Sequence, residues 1–126
     1  MKRSTLLFAT ASLSCLSLPT LAQDADFNLT YHVERIPATQ LSIEACGDVI
    51  TQSAEQAGFR VDTQSFPGQL VVVHGGAEGQ GAFVAQCIAV ESTTVSVVQG
   101  IDYTTQKGAL GDFADQAFAA VKAAAN

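Results

Sequence analysis

The hydrophobic period of this chain switches from two to about 3.6, back to two, and finally to 3.6 again, which confines it to a mixture of strands and helices in a set order. From Phe27 to Ile36, Phe27, Leu29, Tyr31 and Val33 alternate with Asn28, Thr30, His32 and Glu34. Period two with aromatic and β-branched residues predicts a half-buried strand, closed by Pro37. From Ser42 onward Ile43, Cys46, Ile50, Ala54 and Ala57 recur at spacings of three and four. That stripe predicts a helix, capped by Ser42, favoured by Glu44 and Asp48 near its N-terminus and stopped by Gly58.

Four further strands follow. Phe59–Phe66 is separated by the turn signal Pro67-Gly68 from Gln69–His74. Gly75–Gly81 reads as a flexible loop, Ala82–Glu91 as the next strand, Ser92–Thr94 as a turn and Val95–Ile101 as the last strand. Asp102–Gly108 is a polar connection to an Ala-rich helix, with Leu110, Phe113, Ala114, Ala117 and Val121 on one stripe. The order is β-α-β-β-β-β-α. Short turns favour antiparallel neighbours, and two amphipathic helices need one sheet face to cover. The expected fold is therefore α+β, a two-layer sandwich with about five mainly antiparallel strands and both helices on one face.

Ahead of this domain lie Met1-Lys2-Arg3, an apolar run Leu6–Leu18 spotted with Ser and Thr, and Pro19-Thr20-Leu21-Ala22. Basic residues, a short apolar stretch and a small-x-small site form a secretory signal. The run is too short and polar for a membrane span. The expectation is a signal peptide over residues 1–22, a single domain over 23–126, and a periplasmic or secreted protein. Cys15 does not sit in a lipobox, because Ser12 stands where an aliphatic residue belongs. Loss of Lys2 and Arg3 leaves Arg35, Arg60, Lys107 and Lys122 against all twelve acids, a net charge of −8. Such a surface argues against nucleic acid and anionic membranes, which are bound through cations.

Two cysteines remain in the domain, Cys46 and Cys87. In an oxidising compartment an even pair predicts a disulfide. Cys46 lies on the apolar stripe of the first helix, and Cys87 shares parity with Phe83, Ala85 and Ala89, so the bond would pin helix to strand through the core.

With both helices on one side, the opposite sheet face is left open. On the fourth strand it would carry Val84, Gln86, Ile88 and Val90. On the first it would carry Asn28, Thr30, His32 and Glu34. The third contributes either Leu70 and Val72 or Val71 and Val73. An open antiparallel face normally alternates apolar-in and polar-out, and here the middle strands are apolar on both parities. Leftover apolar surface points either to a docking site for a protein partner or a second copy of the chain, or to a loop or the C-terminus folded over it.

Catalytic signals are absent. The glycine loop lacks the Gly-Lys-Ser/Thr of a phosphate cradle and leads into a strand rather than a helix. No Gly-x-Ser-x-Gly elbow occurs. No pair of acids is placed for glycoside hydrolysis by sequence alone, and Asp112 and Asp115 are explained by the helix dipole. The segment Gln99–Gly108, with Asp102, Tyr103 and Lys107, reads as a solvated crossover with binding residues as its alternative. His32, Glu34 and His74 could hold Zn²⁺ or Cu²⁺ if their strands were neighbours with these residues on one face. No resident cofactor is expected.

Three stretches together, Phe27–Arg35, Phe66–Val73 and Val95–Tyr103, resemble a family of small exported proteobacterial proteins classed as a domain of unknown function. The resemblance covers nearly all of the domain and implies a periplasmic location, with no activity attached. The reading that results is a non-catalytic periplasmic binding protein acting through a protein partner, as an inhibitor or immunity-type protein does. The alternative is a small-ligand or metal-binding protein.

Overall fold

The structure is a computed structural model that describes residues 26–125; the expected signal peptide, residues 1–22, lies outside the described residues. Five strands and two helices follow the expected order: β1 (Asn28–Pro37), α1 (Ile43–Gln56), β2 (Arg60–Phe66), β3 (Leu70–Ala77), β4 (Gly81–Val90), β5 (Thr93–Asp102) and α2 (Ala109–Ala124). All pairings are antiparallel, and the sheet order is β1-β5-β4-β3-β2. Strands β2 to β5 form a meander, because each is joined to the next by a tight turn. β1 pairs with β5, so the first and second strands lie at opposite edges and α1 must cross the sheet to connect them.

Both helices lie on one face, as the two apolar stripes require. In α1, Ile43, Cys46, Gly47, Ile50 and Ala54 are buried, and the Ser42 hydroxyl accepts from the Ala45 backbone N–H. Ala57 falls outside the stripe: it is the exposed C-cap, followed by Gly58 at φ +79°, a left-handed position that favours glycine. In α2 the whole expected stripe is buried. Between the layers Phe59, Phe83 and Phe113 form an aromatic knot, with ring centroids 4.6–6.3 Å apart. Cys46 and Cys87 are bonded, with Cα atoms 6.1 Å apart and both side chains fully buried. The chain-entropy model gives about 4 kcal/mol for a loop of this length.

Asp102 organises the join between the layers. It ends β5 with its side chain buried, and its carboxylate accepts from the backbone N–H groups of Gly108, Leu110 and Gly111 at 2.8–2.9 Å. The N-cap residue of α2 is Gly108, which has no side chain to offer, so a strand residue caps the helix instead. Gly100 permits the same close approach. A Cβ there would stand 2.1 Å from the carbonyl oxygen of Leu110.

Three expectations are corrected. Gly75-Gly76-Ala77 is not loop: β3 runs through it, β4 begins at Gly81, and only Glu78-Gly79-Gln80 turns the chain. Strand pairing reaches this far because the residues need only backbone groups to form a ladder. The turn between β4 and β5 is likewise only Glu91-Ser92, with Glu91 at φ +55°. The third correction is the largest. Asn28, Thr30, His32 and Glu34 do not lie on the open face. His32 stacks on Phe118 of α2, with centroids 4.4 Å apart and planes 8° from parallel, and its Nε2 is 2.8 Å from Asp115 Oδ1. β1 therefore turns its polar parity toward the helices and its apolar parity toward the open side.

Candidate docking face

The registers place residues row by row across the open face. Leu29, Ile101, Ala82, Gly76 and Arg60 make one row, and Tyr31, Gln99, Val84, His74 and Asp62 the next. Val33, Val97, Gln86, Val72 and Gln64 follow. The fourth row is Arg35, Val95, Ile88, Leu70 and Phe66, and beyond it lie Pro37, Thr93 and Val90. The expected partner residues Val84, Gln86, Ile88 and Val90 thus occupy the open side of the central strand. Of the two parities left open for β3, Leu70 and Val72 face outward while Val71 and Val73 are buried under the helices.

The inversion of β1 makes this face more apolar than its expected composition. Tyr31, Val33 and Leu29 are 65%, 54% and 47% exposed, and Phe66 and Val90 are exposed as well. β5 shows the same bias. Its helix side carries Thr94, Ser96, Val98, Gly100 and Asp102, mostly small or polar, while Val95, Val97 and Ile101 point to the open side. Close helix approach demands small residues on one side, so the larger aliphatic residues fall on the other. Among the described residues no element packs over this face. Across it the apolar residues are interrupted by Gln86, Gln99, His74, Gln64 and Asp62. Its charged residues within the strands are Arg35, Arg60 and Asp62. The acids are concentrated elsewhere, with Glu44, Asp48, Glu55, Asp112 and Asp115 on the helices.

The histidines do not meet. β1 and β3 are separated by β5 and β4, and His32 faces the helices while His74 faces the open side. His32, Glu34 and His74 therefore cannot share one ion. Among the described residues no three His, Cys, Asp or Glu side chains are grouped to hold a metal.

His32 instead belongs to a cluster on the helix side. Asp115 accepts from His32 and from Lys107, and Lys107 also approaches Asp112 at 3.9 Å. The hydrogen bond from Lys107, followed by the one from His32, lowers the Asp115 carboxyl below its ordinary range. The bond to Asp115 in turn raises the Lys107 ammonium. Lys122 lies 4.4 Å over the Phe118 ring. This arrangement ties β1 to α2. A histidine oriented by an aspartate is half of an activated-nucleophile pair, but among the described residues no serine, threonine or cysteine bonds to His32.

His74 lies in a separate cleft of about 500 Å³ at the glycine-bearing end of the sheet. Arg60, Asp62, Glu78 and Tyr103 line it with His74, whose Nε2 is 3.4 Å from Asp62 Oδ2. Among the described residues Arg60 makes no ion pair. Sequence reasoning missed this cleft because the segment Gly75–Gly81 offers no side-chain signal and Tyr103 is distant in the chain. The crossover that follows β5 divides its residues accordingly: Asp102 is structural, Lys107 is paired with Asp115, and Tyr103 lines the cleft.

No helix among the described residues is long and apolar enough to cross a membrane. The family of unknown function DUF6180 matches residues 26–126. No curated protein matches the chain.

Proposed function

The chain belongs to the DUF6180 family, which carries no assigned activity, and from the geometry we propose that it is an exported, non-catalytic binding protein that works by docking a protein partner on its open sheet face. The uncovered apolar face carries this reading. Its composition is mixed, with Val84 and Ile88 flanking Gln86 on the middle strand and Leu29, Tyr31 and Val33 exposed at one edge. Export is supported by the signal-like leader and by a buried disulfide suited to an oxidising compartment. Inhibitor and immunity-type proteins have this character, acting by occupying a partner rather than by chemistry.

Co-purification from periplasmic extract tests the reading. The tagged protein should bring down one stoichiometric partner, another protein or an untagged copy of itself, and Ile88→Glu, which places a charge in the middle of the face, should lose it while keeping native circular dichroism. Equal capture by wild type and variant would place any docking elsewhere.

A second reading is favoured by the cleft. A guanidinium, two carboxylates, an imidazole and an exposed tyrosine around bare glycine backbone suit a small zwitterionic ligand with a planar or apolar part. Native mass spectrometry of the purified protein would show such a ligand as a mass removed by Arg60→Ala. This moves the ligand-binding alternative away from His32 and Glu34 and keeps only His74.

A further inference from the structure

We infer that the occupant of the open sheet face is a second copy of this chain, stacked sheet against sheet on a two-fold axis that runs along β4. The inference rests on the reading of that face as a docking surface and names its partner.

Size is the first support. Five strands about 4.8 Å apart, seven to ten residues long at about 3.4 Å per residue, present on the order of 700 Å². A standard stable interface buries about 800 Å² per partner. A same-chain partner therefore needs the whole face and no other surface to reach the size of a lasting complex.

Symmetry is the second. β4 is the middle strand of five, with two neighbours on each side. A two-fold axis along β4 sets each face fully over the other. β4 then meets itself, β5 comes over β3 of the other copy, and β1 over its β2. The residues on the axis are Val84, Gln86 and Ile88, and each meets its own mate because β4 of the two copies runs parallel along the axis. Val84 and Ile88 gain apolar contacts on both sides of Gln86. An amide both donates and accepts, so Gln86 can satisfy its own symmetry mate. At the flanks, β1 with Tyr31 and Arg35 lies over a strand carrying Asp62 and Phe66.

Charge is the third. Two copies of an acidic chain repel, and the cost depends on where the acids sit. The face itself holds two arginines and one aspartate. The acids of α1 and α2 lie on the far layer of each copy. With sheets packed about 10 Å apart, the two helix layers are separated by more than the Debye length of about 8 Å at physiological salt. The surface that closes is thus the least acidic one.

The test uses the full chain purified from its expressing cell at micromolar concentration. Sedimentation velocity should give the mass of a dimer. Gln86→Cys should be joined to its mate by a bismaleimide spanning about 10 Å, the distance between packed sheets. Gln116→Cys, exposed on α2, should not. Ile88→Glu should weaken the dimer by at least about a hundredfold, as central interface residues do. The crosslink keeps the inference testable if Ile88→Glu does not fold. A dimer crosslinked through Gln116 and not Gln86 overturns the inference. So does a monomer. A monomer that binds an apolar dye, with binding lost in Ile88→Glu, removes the self-pairing alone and leaves the face open for another protein. A monomer that binds no dye removes the docking reading with it.

Discussion

Replacing Asp102 should show how far one side chain holds the two layers together. Its carboxylate uses both oxygens: Oδ1 accepts from Leu110, and Oδ2 from Gly108 and Gly111. Asp102→Ala leaves three N–H groups at the start of α2 without their acceptor, and those of Leu110 and Gly111 are buried. A lost cap costs about 0.5–2 kcal/mol, and an unsatisfied buried donor about 1–3. Partial hydration of Gly108 offsets some of this, so the expected loss is about 3 kcal/mol. For a domain of about 100 residues that lowers Tm by on the order of 15 °C. Asp102→Asn sharpens the point. An amide keeps one acceptor and turns an NH₂ toward the other N–H groups, so it should be nearly as damaging as alanine despite its matching shape. Urea unfolding followed by circular dichroism measures both. Losses below about 0.5 kcal/mol for alanine, or an asparagine variant close to wild type, would refute the cap as the device that anchors α2.

Other variants probe other joints. The double variant Cys46→Ala, Cys87→Ala should lose about 4 kcal/mol in urea unfolding, and reductant should act on the native protein only through unfolding, since both sulfurs are buried. Gly100→Ala forces a Cβ to 2.1 Å from the Leu110 carbonyl oxygen and should cost about 2–3 kcal/mol by displacing α2. Ser96→Ala should be neutral or slightly stabilising by thermal melting, because the buried Ser96 Oγ has no partner among the described residues. The Asp115 carboxyl is held below its ordinary value in the folded protein, so its contribution to stability is present above the unfolded carboxylate range and is lost as pH falls through the lowered value. Asp115→Asn should therefore remove part of the acid-side slope of stability against pH, and, because the same bond raises the Lys107 ammonium, part of the loss on the alkaline side as well. The effect should be small, because the carboxylate is 45% exposed and solvent screens it.

Element type and order were legible in the chain because hydrophobic period is a local property. Ile43, Cys46, Ile50 and Ala54 can share a side only in a helix, and Leu29, Tyr31 and Val33 only in a strand. The disulfide was legible for a similar reason: two cysteines in the domain allow one intrachain pairing, and each lay on the apolar parity of its element. The open side of β4 followed from Cys87, since the residue bonded to a helix fixes the opposite parity of Val84, Gln86 and Ile88. The candidate docking face was half visible in this way. The glycine cleft was not, because it gathers Arg60, His74 and Tyr103 from three elements that only strand pairing brings together.

The sequence by itself determined which residues of each strand share a side, where the helices carry their apolar stripes, and which two cysteines could bond. Only the tertiary structure decided which side of β1 meets the helices. Alternation is symmetric, so the pattern of Phe27 to Ile36 describes two faces without naming the covered one. Burying the more apolar parity is the usual choice, and this edge strand makes the other. Pairing with β5 and the seat of His32 between Asp115 and Phe118 set its rotation, and Thr30 lies beside Gly111 in the first turn of α2. Leu29, Tyr31 and Val33 are thereby added to the apolar surface around Ile88, and a sheet side that the pattern alone left partly polar becomes the face on which the proposed function rests.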